Sequence, residues 1–257
     1  MIVFGFHAIE MLLEEGREIF SIHAVFRPDS DRVKKLKSLA QKSKIDWREY
    51  SVKDKQRFEA EFRKQGGMGD ELESSQGIFA QIPDFSYTEF PVMLQAAKEK
   101  EEYPIIVFLD SVTDPQNIGS ILRSGAFFNI AGLVITEHRA APITATAIKI
   151  SSGGFAHVPV AQVTNLSQAM EMAKEAGFWV AGLSEHASER LETARLDAPL
   201  VLIVGSEESG LRPLTMKNCD YTLSLPAQGP LKSLNAAVAT AVALSLVRER
   251  QKQIALS

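Results

Sequence analysis

The chain has 257 residues, and its 28 Lys and Arg against 32 Asp and Glu give a formal net charge of −4. Its hydrophobic fraction of 45% excludes a disordered chain, and its single cysteine, Cys219, excludes an internal disulfide and favours an intracellular protein. The acidic balance, taken for the whole chain, also argues against a nucleic-acid binder.

Neither a secretory signal nor a membrane span is expected. The amino terminus has no cationic stretch before an apolar core and carries Glu10, Glu14 and Glu15. The longest weakly polar run, residues 236–247, is shorter than the roughly 20 apolar residues that a span needs. We therefore expect a cytoplasmic protein.

Charge is distributed unevenly along the first hundred residues. Residues 27–64 hold 13 basic and 7 acidic side chains, whereas residues 65–102 hold 2 basic and 8 acidic ones. The whole-chain charge averages these opposite regions. The basic block is compatible with an RNA-binding surface, and solvated helix faces explain it equally well.

The first part of the chain predicts a small α/β domain over residues 1–84, followed by a linker over residues 85–102. Its predicted elements are helices at 7–15, 31–43 and 51–64, strands at 19–26 and 78–81, and a mobile glycine-rich loop at 64–77.

Residues 103–257 predict a second α/β domain. Its predicted strands are 105–110, 133–136, 178–183, 200–205 and 221–225, and its predicted helices are 118–128, 167–176 and 233–251. Near-continuous apolar strands that alternate with helices indicate a parallel sheet covered on both faces.

Common catalytic and metal-binding motifs are missing from the sequence. It contains no GxxxxGK[ST] phosphate loop, no GxGxxG and no GxSxG, and its five histidines are scattered without partner cysteines. We therefore expect no metal site, and a nucleotide-binding dehydrogenase or a Ser-His-Asp hydrolase is disfavoured.

Polar residues follow two buried strands, at the sheet edge where α/β proteins bind ligands. After the strand that ends at Asp110, Asn117 can cap a helix and Arg123 lies about two turns further on. After the strand that ends at Gly205, Glu207 precedes Gly210. Taken singly, these features are explained by a capped helix with a surface arginine and by a glycine turn.

A third polar segment precedes the last predicted helix. Pro226, Gly229 and Pro230 indicate a rigid loop, and Ser233 is predicted to cap a helix whose first turn contains Asn235. Taken singly, this segment is a loop-to-helix entry.

Together and in this order, the three segments resemble the signature motifs of the SpoU (TrmH-like) class of the SPOUT superfamily. The matching residues are Asn117, Gly119, Arg123, Ser124, Gly205, Glu207, Gly210, Leu211, Pro226, Gly229, Ser233, Leu234 and Asn235. Members of this class transfer a methyl group from S-adenosylmethionine to a ribose 2′-hydroxyl of RNA. The resemblance covers about residues 104–250.

The resemblance implies a parallel-sheet domain whose last segments form a deep trefoil knot. It implies cofactor contacts at Gly205, Leu225 and Leu234, and a catalytic role for Arg123. Asn117 and Glu207 would orient Arg123 and the ribose. The loop that faces cofactor and substrate would be shaped by Ser233 and Asn235. Because a guanidinium rarely gives up its proton, we expect Arg123 to bind a phosphate and stabilise the developing oxyanion rather than act as a base.

The first domain resembles, over Gly5-Phe6-His7-Ala8 and Gln76-Gly77-Ile78, the RNA-binding domain of the RlmB-type enzymes, which methylate a guanosine of large-subunit ribosomal RNA. This similarity implies ribosomal RNA as the partner. The resemblance to the SpoU class implies a homodimer with the closing helix at its interface, although an intramolecular core helix explains the small, apolar residues of 236–247 equally well. The candidate phosphate contacts are Arg32, Lys34, Lys35, Lys37, Lys42, Lys44 and Arg48.

Two alternatives remain: ribose methylation of transfer RNA, and a cofactor-free RNA-binding assembly factor that kept the fold. The sequence also departs from the family pattern, with alanine at Ala156, Ala227 and Ala236 and with Asn129 in place of a usual glycine.

Overall fold

The structure is a computed structural model that describes residues 1–25, 30–138, 140–231 and 233–255, with the side chains of Asp70 and Ala255 left out. The chain forms two compact units. The first contains Met1–Ser86 and Ile143–Ala156, and the second contains Tyr87–Pro142 and the chain from His157 onward.

Up to residue 81, short strands and helices alternate. In chain order they are β1 (Ile2–Phe4), α1 (Phe6–Glu14), β2 (Ser21–Val25), α2 (Asp31–Lys42), β3 (Asp46–Tyr50), a 3₁₀ turn (Val52–Asp54), α3 (Lys55–Lys64), α4 (Gly69–Ser74) and β4 (Ile78–Gln81).

The first unit is built on a mixed four-stranded sheet in the order β1-β4-β2-β3. β4 is antiparallel to both of its neighbours, and β2 runs parallel to β3. Four phenylalanines, Phe4, Phe58, Phe62 and Phe79, form its core, and the Phe62 and Phe79 rings meet edge to face at 5.3 Å. Such aromatic pairs stabilise a small core beyond their apolar area alone.

Three features of the first unit differ from the sequence prediction. β1 and β3 were not predicted, because β1 has only three residues and β3 (DWREY) carries mostly polar, exposed side chains. The predicted mobile loop at 64–77 contains α4, where the buried Glu71 carboxylate accepts a hydrogen bond from the Met68 amide at 3.0 Å. Phe26, the predicted end of the first strand, lies outside the described residues.

From residue 90 onward the chain is a longer α/β alternation. Its elements are α5 (Phe90–Lys100), β5 (Ile105–Asp110), α6 (Pro115–Phe127), β6 (Gly132–Thr136), α7 (Ala145–Ile150), α8 (Gly154–His157), β7 (Val160–Val163), α9 (Leu166–Glu175), β8 (Trp179–Leu183), β9 (Glu189–Arg190), β10 (Leu200–Gly205), α10 (Pro213–Asn218), β11 (Tyr221–Ser224) and α11 (Ala236–Ala255).

The second unit contains a seven-stranded sheet in the order β7-β6-β5-β10-β8-β11-β9, and every pair in it is parallel. The predicted parallel α/β sheet is confirmed, and the trefoil knot stays a prediction. β5 and β10 lie side by side at its centre, with Asp110 opposite Gly205. All six residues of β5 are buried, as its IIVFLD sequence indicates.

Helices α5 and α9 cover one face of this sheet, where Phe90, Met93, Phe108, Met170 and Ile203 share a buried cluster. On α6 and α11, which contact one another, buried residues include Ile118, Ile121, Leu244 and Val247. The predicted linker at 85–102 is largely the helix α5, which belongs to the second unit.

Residues 143–156 were assigned to the second domain from the sequence, but they belong to the compact first unit. Hydrogen bonds give the physical reason. The Thr146 hydroxyl donates to Glu71 Oε1 at 2.8 Å, and Lys149 Nζ donates to the Ser74 carbonyl at 2.9 Å. α7 therefore joins α4 although about 70 residues separate them in sequence.

Asn129, which replaces a usual glycine, follows α6 with a φ of 52°. This left-handed conformation favours glycine, and asparagine is among the few other residues that adopt it readily. The substitution therefore preserves the backbone. No helix in the described part of the chain is long and apolar enough to cross a membrane.

Candidate active site

A cavity of about 820 Å³ opens at the carboxyl edge of the second unit's sheet. Its walls come from the segments that follow β8, β10 and β11, and from the first turns of α11. Five of the eight predicted site residues line it: Gly205, Glu207, Leu225, Ser233 and Leu234. The other three, Asn117, Arg123 and Asn235, are not among its lining residues.

Gly205 allows one wall of the cavity to form. A Cβ placed there would lie 2.2 Å from the Gly210 carbonyl carbon and 2.5 Å from the Leu211 nitrogen. The backbone returns over Gly205 because Ser206 and Gly210 exchange two main-chain hydrogen bonds, of 3.2 and 2.9 Å. Gly210 has a φ of 64°, which suits glycine at this turn. Both glycines are therefore required by backbone geometry.

The predicted residues Asn117, Glu207 and Asn235 form one hydrogen-bonded cluster, hereafter the carboxylate cluster. Asn117 Nδ2 donates to Glu207 Oε1 at 2.9 Å, and Asn235 Nδ2 donates both to the same oxygen and to Asn117 Oδ1. The Ala236 amide also donates to Glu207 Oε1, at 3.3 Å. Residues from all three motif segments, 28 to 118 positions apart, thus meet at one carboxylate oxygen.

Two predicted helix caps were wrong. Asp114, not Asn117, caps α6, because its side chain accepts a hydrogen bond from the Gln116 amide at 2.8 Å. Asn235, not Ser233, caps α11, because Asn235 Oδ1 accepts from the Ala237 and Val238 amides at 3.0 and 3.2 Å. A cap inside each motif was expected, but sequence spacing left its position ambiguous by two or three residues.

Arg123 does not join the carboxylate cluster. It is exposed, and it has no hydrogen bond or ion pair within residues 1–25, 30–138, 140–231 and 233–255. Six residues along α6 separate it from Asn117, which places it about 9 Å along the axis and about 120° around the helix. Asn117 and Glu207 form no hydrogen bond to Arg123 in the described chain, and both the orientation of Arg123 by these residues and its catalytic role stay predictions.

The cavity is acidic. Glu185, Glu207 and Glu208 line it, and no Lys or Arg is found among the described lining residues. Ser233 and Leu234 are exposed at its rim. Such a lining favours a ligand with positive charge.

An ion pair that was not predicted from the sequence lies beside the cavity. Asp110 is fully buried at the end of β5, and its Oδ2 accepts a hydrogen bond from the Arg212 amide at 3.0 Å. Arg212 Nε donates to Asp110 Oδ1. A carboxylate at the end of a fully apolar strand was the available signal, because a buried charge needs a partner.

Cys219 is a poor candidate nucleophile. Its sulfur packs close to Gly182, and burial raises the pKa of the thiol to about 12. It therefore remains protonated at neutral pH. The described part of the chain also holds no group of three or more His, Cys, Asp or Glu side chains that could bind a metal ion.

The residues of this site fall within the part of the chain that matches a known family. Residues 104–245 match the family described as SpoU rRNA Methylase. An uncharacterized tRNA/rRNA methyltransferase of Synechocystis sp. is 41% identical over 176 residues, which cover 68% of this chain and 46% of that protein. A Bacillus subtilis protein assigned to the TrmH family of tRNA/rRNA methyltransferases is 38% identical over 70% of this chain and 72% of its own length.

The fold is also found among solved structures. The SpoU methyltransferase AviRb of Streptomyces viridochromogenes, in complex with the cofactor AdoMet, superposes with a TM-score of 0.74 at 24% identity. The match covers 97% of this chain and 90% of that one. All three motif segments lie within the residues that match the family. The chain therefore belongs to the SpoU rRNA Methylase family.

Proposed function

We propose that this protein transfers a methyl group from S-adenosylmethionine to a ribose 2′-hydroxyl of RNA. The observation that carries the proposal is the carboxylate cluster, which joins all three motif segments at the rim of a cavity of about 820 Å³. One carboxylate fixed by three donors beside a deep cavity suits the alignment of two substrates.

The cavity fits S-adenosylmethionine in size and in chemistry. Its volume is within the range of small-molecule sites, and Leu223, Leu225 and Leu234 provide apolar walls for an adenosine. The backbone groups of Ser206 and Gly210 edge it, and its three carboxylates suit a sulfonium cation. When bound, this cofactor supplies an electrophilic methyl group and needs no metal.

Glu207 is suited to receive the ribose hydroxyl. Its Oε1 is occupied by three donors, whereas no hydrogen bond to its Oε2 occurs among the described residues. In the proposed mechanism Oε2 would accept a hydrogen bond from the 2′-hydroxyl and then its proton, as the ribose oxygen bonds to the methyl carbon and the methyl–sulfur bond of the donor breaks. The products would be the methylated ribose, S-adenosylhomocysteine and a protonated Glu207. Asn117 and Asn235 hold the carboxylate in place.

Arg123 has a separate role in this mechanism. It is exposed, unpaired within the described chain and on the helix that carries Asn117. It binds an RNA phosphate and stabilises negative charge on the ribose oxygen as the proton leaves. Because a guanidinium is protonated at any physiological pH, this role does not require it to act as a base.

We further propose large-subunit ribosomal RNA as the substrate, methylated at a guanosine in the cytoplasm, as in the RlmB-type enzymes that the first domain resembles. Four of the seven candidate phosphate contacts already have carboxylate partners: Lys34, Lys35, Lys37 and Arg48. Lys42 and Lys44 are exposed and have no ion pair in the described chain. RNA binding would therefore depend most on this end of α2.

The proposed assembly is a homodimer that uses the closing helix. Val238 and Val242 on α11 are 48% and 37% exposed, and Phe127 at the end of α6 is 82% exposed. α6 and α11 pack together. Burying such side chains against a second copy is favourable by roughly 25 cal/mol per Å².

Transfer RNA is the second candidate substrate, because the relatives from Synechocystis and Bacillus subtilis carry both tRNA and rRNA in their names. The discriminating experiment incubates the full chain with radiolabelled S-adenosylmethionine and, separately, protein-free large-subunit rRNA and bulk tRNA. We expect label in the rRNA. Label in tRNA alone would select the second candidate, and an absence of both transfer and cofactor binding by calorimetry would favour a cofactor-free assembly factor.

A further inference from the structure

The ion pair of Asp110 and Arg212 contains the most buried carboxylate among the ion pairs of the described chain. The Asp110 side chain is 0% exposed and that of Arg212 is 34% exposed. Arg212 donates both its amide N–H and its Nε–H to the carboxylate, and the Ser111 hydroxyl donates to Oδ1 at 3.3 Å. Removing such a partner leaves a buried charge without compensation, so this contact is expected to be strongly maintained.

Its position connects it to the wall of the cavity. Asp110 lies opposite Gly205 in the ladder between β5 and β10. The chain leaves the sheet at Gly205, turns, and returns with Gly210 and Leu211 directly over Gly205. The next residue, Arg212, is the one that Asp110 holds.

The loop of residues 206–212 therefore forms hydrogen bonds near both of its ends, and each end bonds to different residues. Near its start, Glu207 bonds to Asn117 and Asn235, the residues of the carboxylate cluster. At its end, Arg212 bonds to Asp110. Gly205 at the end of β10 and the loop residues Ser206, Gly210 and Leu211 all line the cavity.

We infer that Asp110 and Arg212 are a positioning pair that fixes this wall and thereby sets the affinity for S-adenosylmethionine. The inference rests on the cofactor assignment of the proposed function. Two residues of this loop then have different roles. Glu207 contacts the ribose hydroxyl, whereas Arg212 affects the binding of the cofactor. Loosening the Arg212 end should raise the Kd for the cofactor and leave the KM for RNA nearly unchanged.

Asp110→Asn is the appropriate variant, since it keeps the shape and one acceptor oxygen and removes the buried charge. Glu101→Gln is the matched control. Glu101 forms a similarly buried ion pair with Arg248, with side chains 25% and 20% exposed, and neither residue lines the cavity. Calorimetry with S-adenosylmethionine, thermal unfolding and KM for RNA are measured on the full chain.

We expect Asp110→Asn to raise the Kd for the cofactor tenfold or more and to change the KM for RNA less than twofold. Glu101→Gln should lower the melting temperature by a similar amount with an unchanged Kd. Arg212→Lys, which keeps the backbone donor and one side-chain donor, should raise the Kd less than Arg212→Gln. Without ligand, amide hydrogen exchange at Gly210 and Arg212 should become faster in Asp110→Asn alone.

A Kd within twofold of the parent in Asp110→Asn would overturn the inference, as would an equal increase in Glu101→Gln. The proposed function fails in a different way. In that case the parent protein itself would show no binding of S-adenosylmethionine, whatever residue is present at position 110.

Discussion

Gly205→Ala is expected to impair cofactor binding without breaking the carboxylate cluster. The new Cβ would lie 2.2 Å from the Gly210 carbonyl carbon, whereas ordinary contacts begin at 3.4 Å, so the returning backbone must move by about 1.2 Å. Backbone cannot rotate away as a side chain can. Overpacking of this kind costs about 1–3 kcal/mol.

The same cost predicts two observable changes. If the strain is relieved by displacing the wall, the Kd for S-adenosylmethionine rises by about 5- to 150-fold. If the strain instead remains in the folded protein, the melting temperature falls by roughly 2–12 °C. Calorimetry and thermal unfolding of the full chain measure both changes.

Gly229→Ala is the matched control within the same cavity. A Cβ at Gly229 would meet no atom within 4 Å, and Gly229 is not among the glycines with positive φ. We expect parental binding and stability for this variant. Equal behaviour of the two alanine variants would refute the close approach at Gly205 as the reason for glycine there.

Three further predictions concern catalysis, stability and RNA binding. Arg123→Ala should keep its cofactor Kd within twofold and lose about 100- to 1000-fold in kcat, measured by methyl transfer; near-parental turnover would remove Arg123 from the mechanism. Burial holds the pKa of His23 below its usual 6.5, so the folded protein keeps it neutral. Its contribution to stability is present above pH 6.5 and is lost as the pH falls towards the folded pKa, with a slope of up to about 1.4 kcal/mol per pH unit in urea unfolding. His23→Phe should flatten this slope, and an unchanged slope would assign it to other groups. Neutralising Lys34, Lys42 and Lys44 together should lower the slope of log Kd for RNA against log salt concentration by about 2. An unchanged slope would mean that the basic block is only a solvated face.

The second unit was predictable because local sequence specifies it strongly. The runs IIVFLD and LVLIVG are typical of strands buried on both faces, and both are central strands of the parallel sheet. In the first unit, the polar strand β3 and the helix α4 have no such signal. α4 is stabilised by Glu71, whose partners include Thr146 from far along the chain. Contacts of this kind are invisible to local patterns.

The candidate site, too, could be predicted from the sequence only in part. The residue types were indicated by the three motifs, and the structure brings Asn117, Glu207 and Asn235 into direct contact. Their partners could not be predicted. Helix spacing suggested that Asn117 caps the helix that carries Arg123 about two turns further on, whereas its amide bonds to a carboxylate 90 residues away. Asp110 and Arg212 were missed because nothing in local sequence connects residues 102 positions apart.

The position of the transferred methyl group tests the proposed chemistry most directly. The full chain is incubated with methyl-labelled S-adenosylmethionine and large-subunit rRNA, and the RNA is then hydrolysed in alkali. A 2′-O-methyl group blocks the adjacent phosphodiester from cleavage, so we expect the label in an alkali-resistant dinucleotide. Label recovered in an ordinary mononucleotide, as a methylated base, would contradict ribose methylation and the role proposed for Glu207.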